Sequence, residues 1–153
     1  MTDKNNRVIA RNRKALHDYE ILEKLEAGIV LMGSEIKSIR AGKINIGDGF
    51  VQYENGEMWL RNVHISPYEE AGVWGHDPLR PRKILLHRKQ IYSLYRRVQE
   101  KGFTIVPLQI YLKDGRAKVE VGLARGKKQY DKRDTLRQKE DKRRVERALK
   151  EYR

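Results

Sequence analysis

The feature that most constrains the fold is an abrupt change at Gly126, where an alternating, strand-like sequence ends and an almost purely charged segment begins. From there to the C-terminus the chain carries twelve Lys/Arg against six Asp/Glu, and its only aromatic residues are Tyr130 and Tyr152. So few apolar side chains cannot build a core. We therefore predict a folded domain over residues 1–125 and a basic tail over residues 126–153.

The tail has a second periodicity inside its charge, because Val145, Ala148, Leu149 and Tyr152 fall at the i, i+3, i+4 and i+7 positions of a helix. Such a helix is marginal alone, since isolated helices of this length gain little stability without packing. Two interpretations stay open. The tail is a disordered, solubilising end, or it becomes an amphipathic helix on contact with a partner.

The net charge of +13 points to a polyanionic partner. Basic charge of this size favours nucleic acid or an anionic membrane surface over an acidic small molecule. No stretch approaches the roughly 20 apolar residues of a membrane span, and the first residues lack the apolar core of a signal peptide. The chain has no Cys, which excludes disulfides and thiolate sites and agrees with a reducing compartment. We expect a soluble, cytoplasmic protein.

Two turn signals predict β-hairpins, because Asn55-Gly56 and Asp114-Gly115 supply the positive φ that type I′ turns need. Around the second turn, alternation with a period of two predicts one buried and one exposed face for each flanking strand. The residues expected on the buried faces are Thr104, Val106, Leu108, Ile110, Leu112, Val119, Val121 and Leu123.

Other segments complete the predicted architecture. Strands are expected at residues 19–25 and 29–32, with Gly28 marking a bend or bulge between them. Ser34 is expected to cap a short helix that ends at Gly42. About six short strands with few helices predict a mainly β fold with short helices, and a partly open five- or six-stranded Greek-key barrel fits the length.

A longer helix is predicted from about residue 88 to residue 101, before Gly102. Its apolar residues follow the spacing of a stripe that faces a core. The residues of this stripe are Ile91, Leu94, Tyr95 and Val98.

The sequence offers little support for catalysis. Its four histidines, His17, His64, His76 and His87, do not form a zinc-binding pair, and no nucleophile elbow or phosphate-binding loop is present. We expect no catalytic residue, no required metal and no cofactor. A hydrolase acting on nucleic acid is the enzymatic alternative, and only scattered His and Asp residues favour it.

Basic residues form three separate clusters, which favours a nucleic acid over other polyanions. These clusters are Arg11–Lys14, the group of Lys37, Arg40 and Lys43, and Arg80–Lys83. Phosphate contacts position a protein, whereas aromatic and amide groups stack on or bond to unpaired bases. The residues placed for base contacts are Asn12, His17, Tyr19 and His87. For Tyr19, packing inside the protein and stacking on a base are equally open.

A series of motifs over nearly the whole chain resembles one family, the SsrA-binding proteins, also called small protein B. Each motif is weak alone, and their order and number make the resemblance specific. The motifs are Asn12-Arg-Lys-Ala-Leu-His-Asp-Tyr19, Glu26-Ala-Gly28, Gly33-Ser-Glu-Ile-Lys-Ser-Ile-Arg40, His64-Ile-Ser-Pro67, Asp77-Pro-Leu-Arg80, Arg82-Lys-Ile-Leu-Leu-His87 and Gly126-Lys-Lys-Gln-Tyr-Asp-Lys-Arg133.

The resemblance implies an oligonucleotide-binding-like barrel that holds the tRNA-like domain of transfer-messenger RNA and delivers it to stalled ribosomes for trans-translation. It also implies a tail that is disordered when free and becomes helical in the ribosome, at the decoding centre of the small subunit and along the empty messenger channel. A monomer in a one-to-one RNA complex is the simplest expectation. The alternative is a general structural ribosomal RNA-binding protein or an RNA chaperone.

Carried over by motif position, Glu26, Leu85 and His87 belong to the RNA-facing or supporting surface. Glu26 would repel a phosphate, so we expect it to orient a basic neighbour or accept a base or sugar donor, and an ordinary salt bridge is the alternative. Leu85 is expected to support the surface by packing. The full set of expected RNA-binding residues is Asn12, Arg13, Lys14, His17, Tyr19, Glu26, Lys37, Arg40, Lys43, Leu85 and His87.

The start of the tail is expected to bind the ribosome. Its lysines and arginine would neutralise ribosomal RNA phosphates, and Tyr130 would stack on an exposed base. Many relatives carry His at the position of Tyr130, so stacking is the role that fits both residues. The expected ribosome-binding residues are Gly126, Lys127, Lys128, Tyr130, Asp131, Lys132 and Arg133.

Overall fold

The computed structural model describes residues 7–100 and 102–126. These residues form a mainly β fold with short helices. The strands are β1 (Arg7–Arg11), β2 (Tyr19–Ile29), β3 (Ile44–Asn45), β4 (Phe50–Glu54), β5 (Glu57–Arg61), β6 (His64–Ile65), β7 (Arg82–Leu85), β8 (Phe103–Lys113) and β9 (Arg116–Gly126). The α-helices are α1 (Arg13–Asp18), α2 (Gly33–Arg40) and α3 (Arg88–Val98), and a 3₁₀ helix spans Glu69–Trp74.

Six antiparallel strands close into a barrel. Their order is β8-β4-β5-β7-β2-β9, and β9 pairs again with β8 to complete the circle. The long strand β8 also pairs with β1, beside the part that pairs with β4. The two-residue strands β3 and β6 form a separate pair. The prediction of a small mainly β barrel is confirmed, and the barrel is closed.

Both predicted hairpins are present. Asn55 and Gly56 have φ values of 52° and 82°, and Asp114 and Gly115 have φ values of 52° and 78°. These turns join β4 to β5 and β8 to β9 in antiparallel register. The core inside the barrel includes Val119, Val121 and Leu123, as the alternation predicts. It also receives the apolar face of α3, where Leu94 is buried against it.

The prediction of one buried face along β8 is wrong, because the pairing register shifts between Pro107 and Gln109. Leu108 is the extra residue, and such a bulge reverses the face on which later side chains lie. Ile110 therefore lies in the barrel core, whereas Val106 and Leu108 pack outside the barrel beneath α1. On β9, Gly122 leaves room for Leu108, whose Cδ1 would lie 2.8 Å from an added Cβ.

Three predicted boundaries also differ from the structure. Residues 29–32 do not form a second strand, because β2 continues through Gly28 and ends at Ile29. Ser34 does not cap α2, since the Glu35 carboxylate accepts the Met32 backbone N–H at 2.8 Å. Helix α3 ends at Val98, about one turn before the predicted end. Within the described ranges, no helix has the length and apolar character needed to cross a membrane.

Candidate nucleic-acid interface

The turn between β8 and β9 carries a group of basic side chains close to two carboxylates. Lys113, Arg116 and Lys118 line an open hollow together with Asp114 of the turn and Glu26 of β2. The pairing of β2 with β9 explains why Glu26 lies close to Lys118. Glu26 is opposite Glu120, and two positions further along this pairing Gly28 is opposite Lys118. We call Glu26, Lys113, Arg116 and Lys118 the hairpin cluster.

Two neighbours hold the Glu26 carboxylate in the hairpin cluster. Lys113 Nζ donates to its two oxygens over 3.4 Å and 3.5 Å, and the Tyr111 hydroxyl also donates to it. The hydrogen bond from Tyr111, followed by the charge of Lys113, lowers the pKa of Glu26. Burial raises the pKa of Tyr111, and the bond to Glu26 adds to that rise. This contact fits both interpretations of Glu26, the orientation of a basic neighbour and an ordinary salt bridge.

Two arginines extend the hairpin cluster toward α2. A guanidinium N–H of Arg40 donates to the Gly115 carbonyl over 3.4 Å, and Arg7 donates to the Arg40 carbonyl over 2.9 Å. The end of α2 and the start of β1 therefore meet at the β8–β9 turn. Of these two, only Arg40 was predicted from the sequence.

Sequence reasoning missed several residues of this surface, namely Arg7, Tyr111, Lys113, Arg116 and Lys118. One signal could have found some of them, because three of the cations flank the Asp114-Gly115 turn and a type I′ turn projects its flanking residues together. The partnership of Glu26 with them needed the pairing of β2 with β9. That pairing joins residues distant in sequence.

Leu85 and His87 lie near one another at the end of β7 and the start of α3. Leu85 pairs with Gly28, and a Cβ at Gly28 would lie 3.3 Å from the Leu85 Cβ. The Leu85 side chain therefore packs over Gly28 on one side, and it is 52% exposed to solvent on the other. His87 is exposed, and its backbone N–H donates to the Gln90 side chain over 3.0 Å at the start of the helix.

Other predicted residues lie at the opposite end of β2 and β9. Tyr19 pairs with Gly126, seven strand positions before Glu26, which is about 23 Å along a strand. Tyr19 is half-buried against α1, whereas Arg13, Lys14 and His17 are exposed. The predicted set therefore divides between two ends of the barrel.

Lys14 and His17 each face a carboxylate at this end. Lys14 Nζ lies 2.7 Å from an Asp48 oxygen, and this bond raises the pKa of Lys14. His17 Nδ1 lies 3.1 Å from an oxygen of Asp18. Both pairs are in contact with solvent, so an arriving phosphate would compete with the carboxylates.

Asn12 cannot contact a base, because its side chain is used inside the protein. It is only 2% exposed. Its amide nitrogen donates to the carbonyls of Ile46, over 3.1 Å, and Pro107, over 2.8 Å. Its amide oxygen accepts the Ala15 backbone N–H at the start of α1. Asn12 therefore supports α1, and the expectation of a direct base contact is corrected.

Lys37 of α2 and Lys43, which lies between α2 and β3, are two further exposed cations. Lys37 Nζ lies 5.1 Å from the centre of the Tyr68 ring. Lys43 is exposed, and its backbone N–H donates to the Ser38 carbonyl beyond the end of the helix. Both cations remain accessible to a phosphate.

The third basic cluster is mostly occupied inside the protein, contrary to expectation. Arg82 is fully buried and donates to Glu35 over 2.5 Å and to the Val63 carbonyl over 2.6 Å. Arg80 also donates to Glu35, and Lys83 pairs with Glu57 at 2.9 Å. These arginines therefore fix α2 against the segment before β7 and do not form a phosphate site.

Burial and bonding act in opposite directions on Glu35. Burial raises its pKa, but hydrogen bonds from Arg80, the Met32 backbone and Arg82 outweigh that effect, so the pKa is lowered. Burial is the main cause that lowers the pKa of the Arg82 guanidinium. The carboxylate is thus held ionised between two arginines.

A second buried polar contact joins α2 to the segment after the 3₁₀ helix. His76 Nδ1 lies 2.8 Å from the Ser34 hydroxyl, and its Nε2 lies 2.9 Å from the Ile65 carbonyl. His76 is 8% exposed and is a structural residue. Among the residues that the structure describes, no group of His, Asp and Glu is arranged to hold a metal ion.

Gly126 is the last described residue, and it continues β9 beside Tyr19. The other residues expected to bind the ribosome lie outside the described residues. They are Lys127, Lys128, Tyr130, Asp131, Lys132 and Arg133.

Comparison with known proteins decides the family. A family model described as SmpB protein matches residues 9–151. The chain belongs to the SmpB family. It is 60% identical to the SsrA-binding protein of Shouchella clausii over 145 residues, which is 95% of this chain and 93% of that protein. It is 58% identical to the SsrA-binding protein of Enterococcus faecalis, with 96% of each chain covered.

The SmpB family assignment also holds at the level of structure. A chain in a solved structure described as "tmRNA-SmpB: a journey to the center of the bacterial ribosome" superposes with a TM-score of 0.66. That chain is 51% identical, and the match covers 78% of this chain and 84% of the other. The sequence and structural comparisons therefore agree on the same family.

Proposed function

We propose that this protein binds the tRNA-like domain of transfer-messenger RNA and delivers it to stalled ribosomes for trans-translation. The observation that carries the proposal is the identity of 60% over 95% of the chain with a relative named SsrA-binding protein. The solved SmpB chain, whose description names tmRNA and the ribosome, supports both partners. This role places the protein with the ribosomes of the cytoplasm.

The hairpin cluster, with Arg7 and Arg40, is the surface that we assign to the tRNA-like domain. Its cations converge from three parts of the chain, and converging cations can follow a bent phosphate backbone. Glu26 holds Lys113 in place. The exposed Leu85 side chain supplies an apolar contact for a base or a ribose at the same end of β2.

We assign the tail, residues 126–153, to the ribosome. Its basic residues would neutralise small-subunit RNA phosphates at the decoding centre, and Tyr130 would stack on an exposed base. The position of Gly126 supports this division, because it lies at the end of β9 opposite the hairpin cluster. The barrel and the tail would then contact different partners in one complex.

We infer that the protein acts by binding and not by catalysis, and that it needs no cofactor. Its histidines have structural or exposed positions, such as His76 between Ser34 and Ile65. Turnover of several RNAs by the purified protein, dependent on His17 or His87, would contradict this inference.

The test is binding of the purified chain to three labelled ligands at several salt concentrations: the tRNA-like domain, an ordinary tRNA and a DNA hairpin. A preference for the tRNA-like domain that persists as salt rises would support docking by shape. Equal affinities for the three ligands that fall together as salt rises would show only nonspecific electrostatic binding to polyanions and would overturn the proposal.

A general structural ribosomal RNA-binding protein or RNA chaperone is the second candidate, because the same basic surface would serve it. Retention on all translating ribosomes through high-salt washing would favour a structural ribosomal protein. Release by washing, with recruitment to stalled ribosomes only when transfer-messenger RNA is present, would favour the rescue function.

A further inference from the structure

The outer face of α3 carries an aromatic residue and cations that the proposed function does not yet use. The helix contains no acidic residue, and its inner face packs Leu94 into the core. Arg97 is bonded to Glu23 of β2 at 2.6 Å. Arg88, Tyr92 and Arg96 recur every four residues on the exposed side.

Tyr92 is the most exposed large apolar or aromatic side chain among the described residues, at 63%. Its ring is not part of the packed core. Tyr95, three residues further along the helix, does pack against the core, and its ring contacts that of Tyr53 with 4.1 Å between ring centres. The Arg96 guanidinium lies 5.7 Å from the centre of the Tyr92 ring, which is within the range of a cation–π contact. The ring and the guanidinium are thus already placed together on the surface.

We propose that Arg88, Tyr92 and Arg96 form a second RNA contact, in which an unpaired base stacks on Tyr92 while the two arginines bind flanking phosphates. Arg88 and Arg96 are eight residues apart, about 12 Å along the helix, with Tyr92 midway. Bases stack on aromatic rings and on guanidinium planes. The contact would extend the surface at Leu85 and His87, because α3 begins directly after His87.

RNA fits this face better than a membrane does. A helix that lies in a lipid surface needs several large apolar residues on its buried face. The exposed residues of α3 are instead polar or charged apart from the Tyr92 ring. A duplex also fits poorly, since a stacked pair does not offer its base to a side chain.

This inference rests on the proposed function, and the test separates the two. Full-length wild type, Tyr92→Ala, Tyr92→Phe and the double variant Arg88→Gln with Arg96→Gln would be titrated with labelled tRNA-like domain at several salt concentrations. Lys24→Gln removes an exposed cation of β2 and serves as the charge control. Thermal unfolding of each variant checks that the fold is retained.

We expect Tyr92→Ala to weaken binding about 5- to 100-fold, in line with the loss of one stacked base, and Tyr92→Phe to restore it to within about threefold. The double arginine variant should lower the slope of log affinity against log salt by about 0.7 for each lost phosphate contact. Lys24→Gln should leave both quantities near those of the wild type.

Two outcomes would overturn the inference. If wild type prefers the tRNA-like domain but Tyr92→Ala and the double variant bind like Lys24→Gln, the α3 face is not an RNA contact, and the proposed function stands. If vesicles containing phosphatidylserine bind wild type but not Tyr92→Ala, while RNA affinity is unchanged, the face belongs to lipid. Failure of wild type to prefer the tRNA-like domain would instead overturn the proposed function.

Discussion

Glu26 is an acidic side chain on a basic surface, and its partners give a physical reason for its position. Tyr111 and Lys113 both donate to the carboxylate. The ionised carboxylate is therefore paired with the Lys113 ammonium, and this contact limits where the ammonium can point. We propose that Glu26 acts as a positioning residue for the cations around it.

Glu26→Ala tests that role. Removal of a negative charge alone would strengthen RNA binding, whereas loss of the two hydrogen bonds should misplace Lys113 and weaken binding of the tRNA-like domain by roughly fivefold, about 1 kcal/mol. Filter binding at one salt concentration measures the difference. Glu20→Ala, which breaks the exposed pair with Arg125 at the other end of β2, is the control. Tighter binding by Glu26→Ala would contradict the positioning role.

Glu35 has a different role, because it is fully buried between Arg80 and Arg82. Glu35→Gln should lower the free energy of unfolding by about 3–5 kcal/mol, since it leaves a buried guanidinium without its counter-charge. Glu54→Gln breaks an exposed pair with Arg61 and should cost less than about 1 kcal/mol. Urea denaturation measures the free energy of unfolding of both variants. Equal decreases for the two variants would show that burial does not strengthen the contribution of the Glu35 ion pairs.

The lowered pKa of Glu35 also predicts a pH dependence. Its ordinary pKa is 4.5, and the value is lower in the folded protein. The ionised carboxylate therefore contributes its full stability above pH 4.5, and this contribution is lost as the pH falls through the lower folded value. The difference in urea midpoint between wild type and Glu35→Gln should be constant near neutral pH and should shrink in acid. A difference that grows in acid would contradict the assignment.

At the scale of elements, β8 shows how one extra residue places two apolar faces in two environments. The bulge at Leu108 directs Ile110 into the barrel and leaves Val106 and Leu108 under α1. The turn after β8 favours a glycine at position 115, because Gly115 has a positive φ of 78°. This turn carries the basic side chains on which the proposed RNA surface depends.

Gly115→Ala should lower the free energy of unfolding by about 1–2 kcal/mol, because an L-residue is strained at positive φ. Space is not the cause, since nothing lies within 4 Å of an added Cβ at this position. Gly33 at the start of α2 has equal space without positive φ, so Gly33→Ala should be neutral or stabilising by up to about 1 kcal/mol. Thermal unfolding compares the two, and equal effects would contradict backbone strain as the cause.

At the scale of the whole molecule, the barrel keeps its two candidate contact regions apart. The hairpin cluster lies at one end of β9, and Gly126 lies at the other. The proposal that the barrel and the tail bind different partners depends on this separation. The end of β9 also sets the position at which the tail can be removed without damage to the fold.

Truncation after Gly126 should keep binding to the tRNA-like domain within about threefold at moderate salt, because few phosphate contacts would be lost. It should abolish tagging in a reconstituted translation system with stalled ribosomes. A cut after Leu123 is unsuitable, because it would remove Ala124, which is fully buried in β9. Equal loss of RNA binding and of tagging would show that the tail belongs to the RNA site.

Part of the site was predictable and part was not. The sequence predicted basic residues such as Arg40, because charge and helix periodicity are local. It misassigned Arg82 and Asn12, since a cation or an amide in a basic stretch has the same sequence signature whether it binds phosphate or a buried carboxylate. Only the packing of Glu35 and of α1 distinguishes those cases.

The sequence by itself determined the hairpins and the core-facing stripe of α3. Each depends on turn chemistry or periodicity within about a dozen residues. Only the tertiary structure decided that β9 closes the barrel on β8, that Leu108 is a bulge, and that Glu26 meets Lys113. These features join residues far apart in the chain, and their energies arise from burial and pairing that exist only after the barrel has closed.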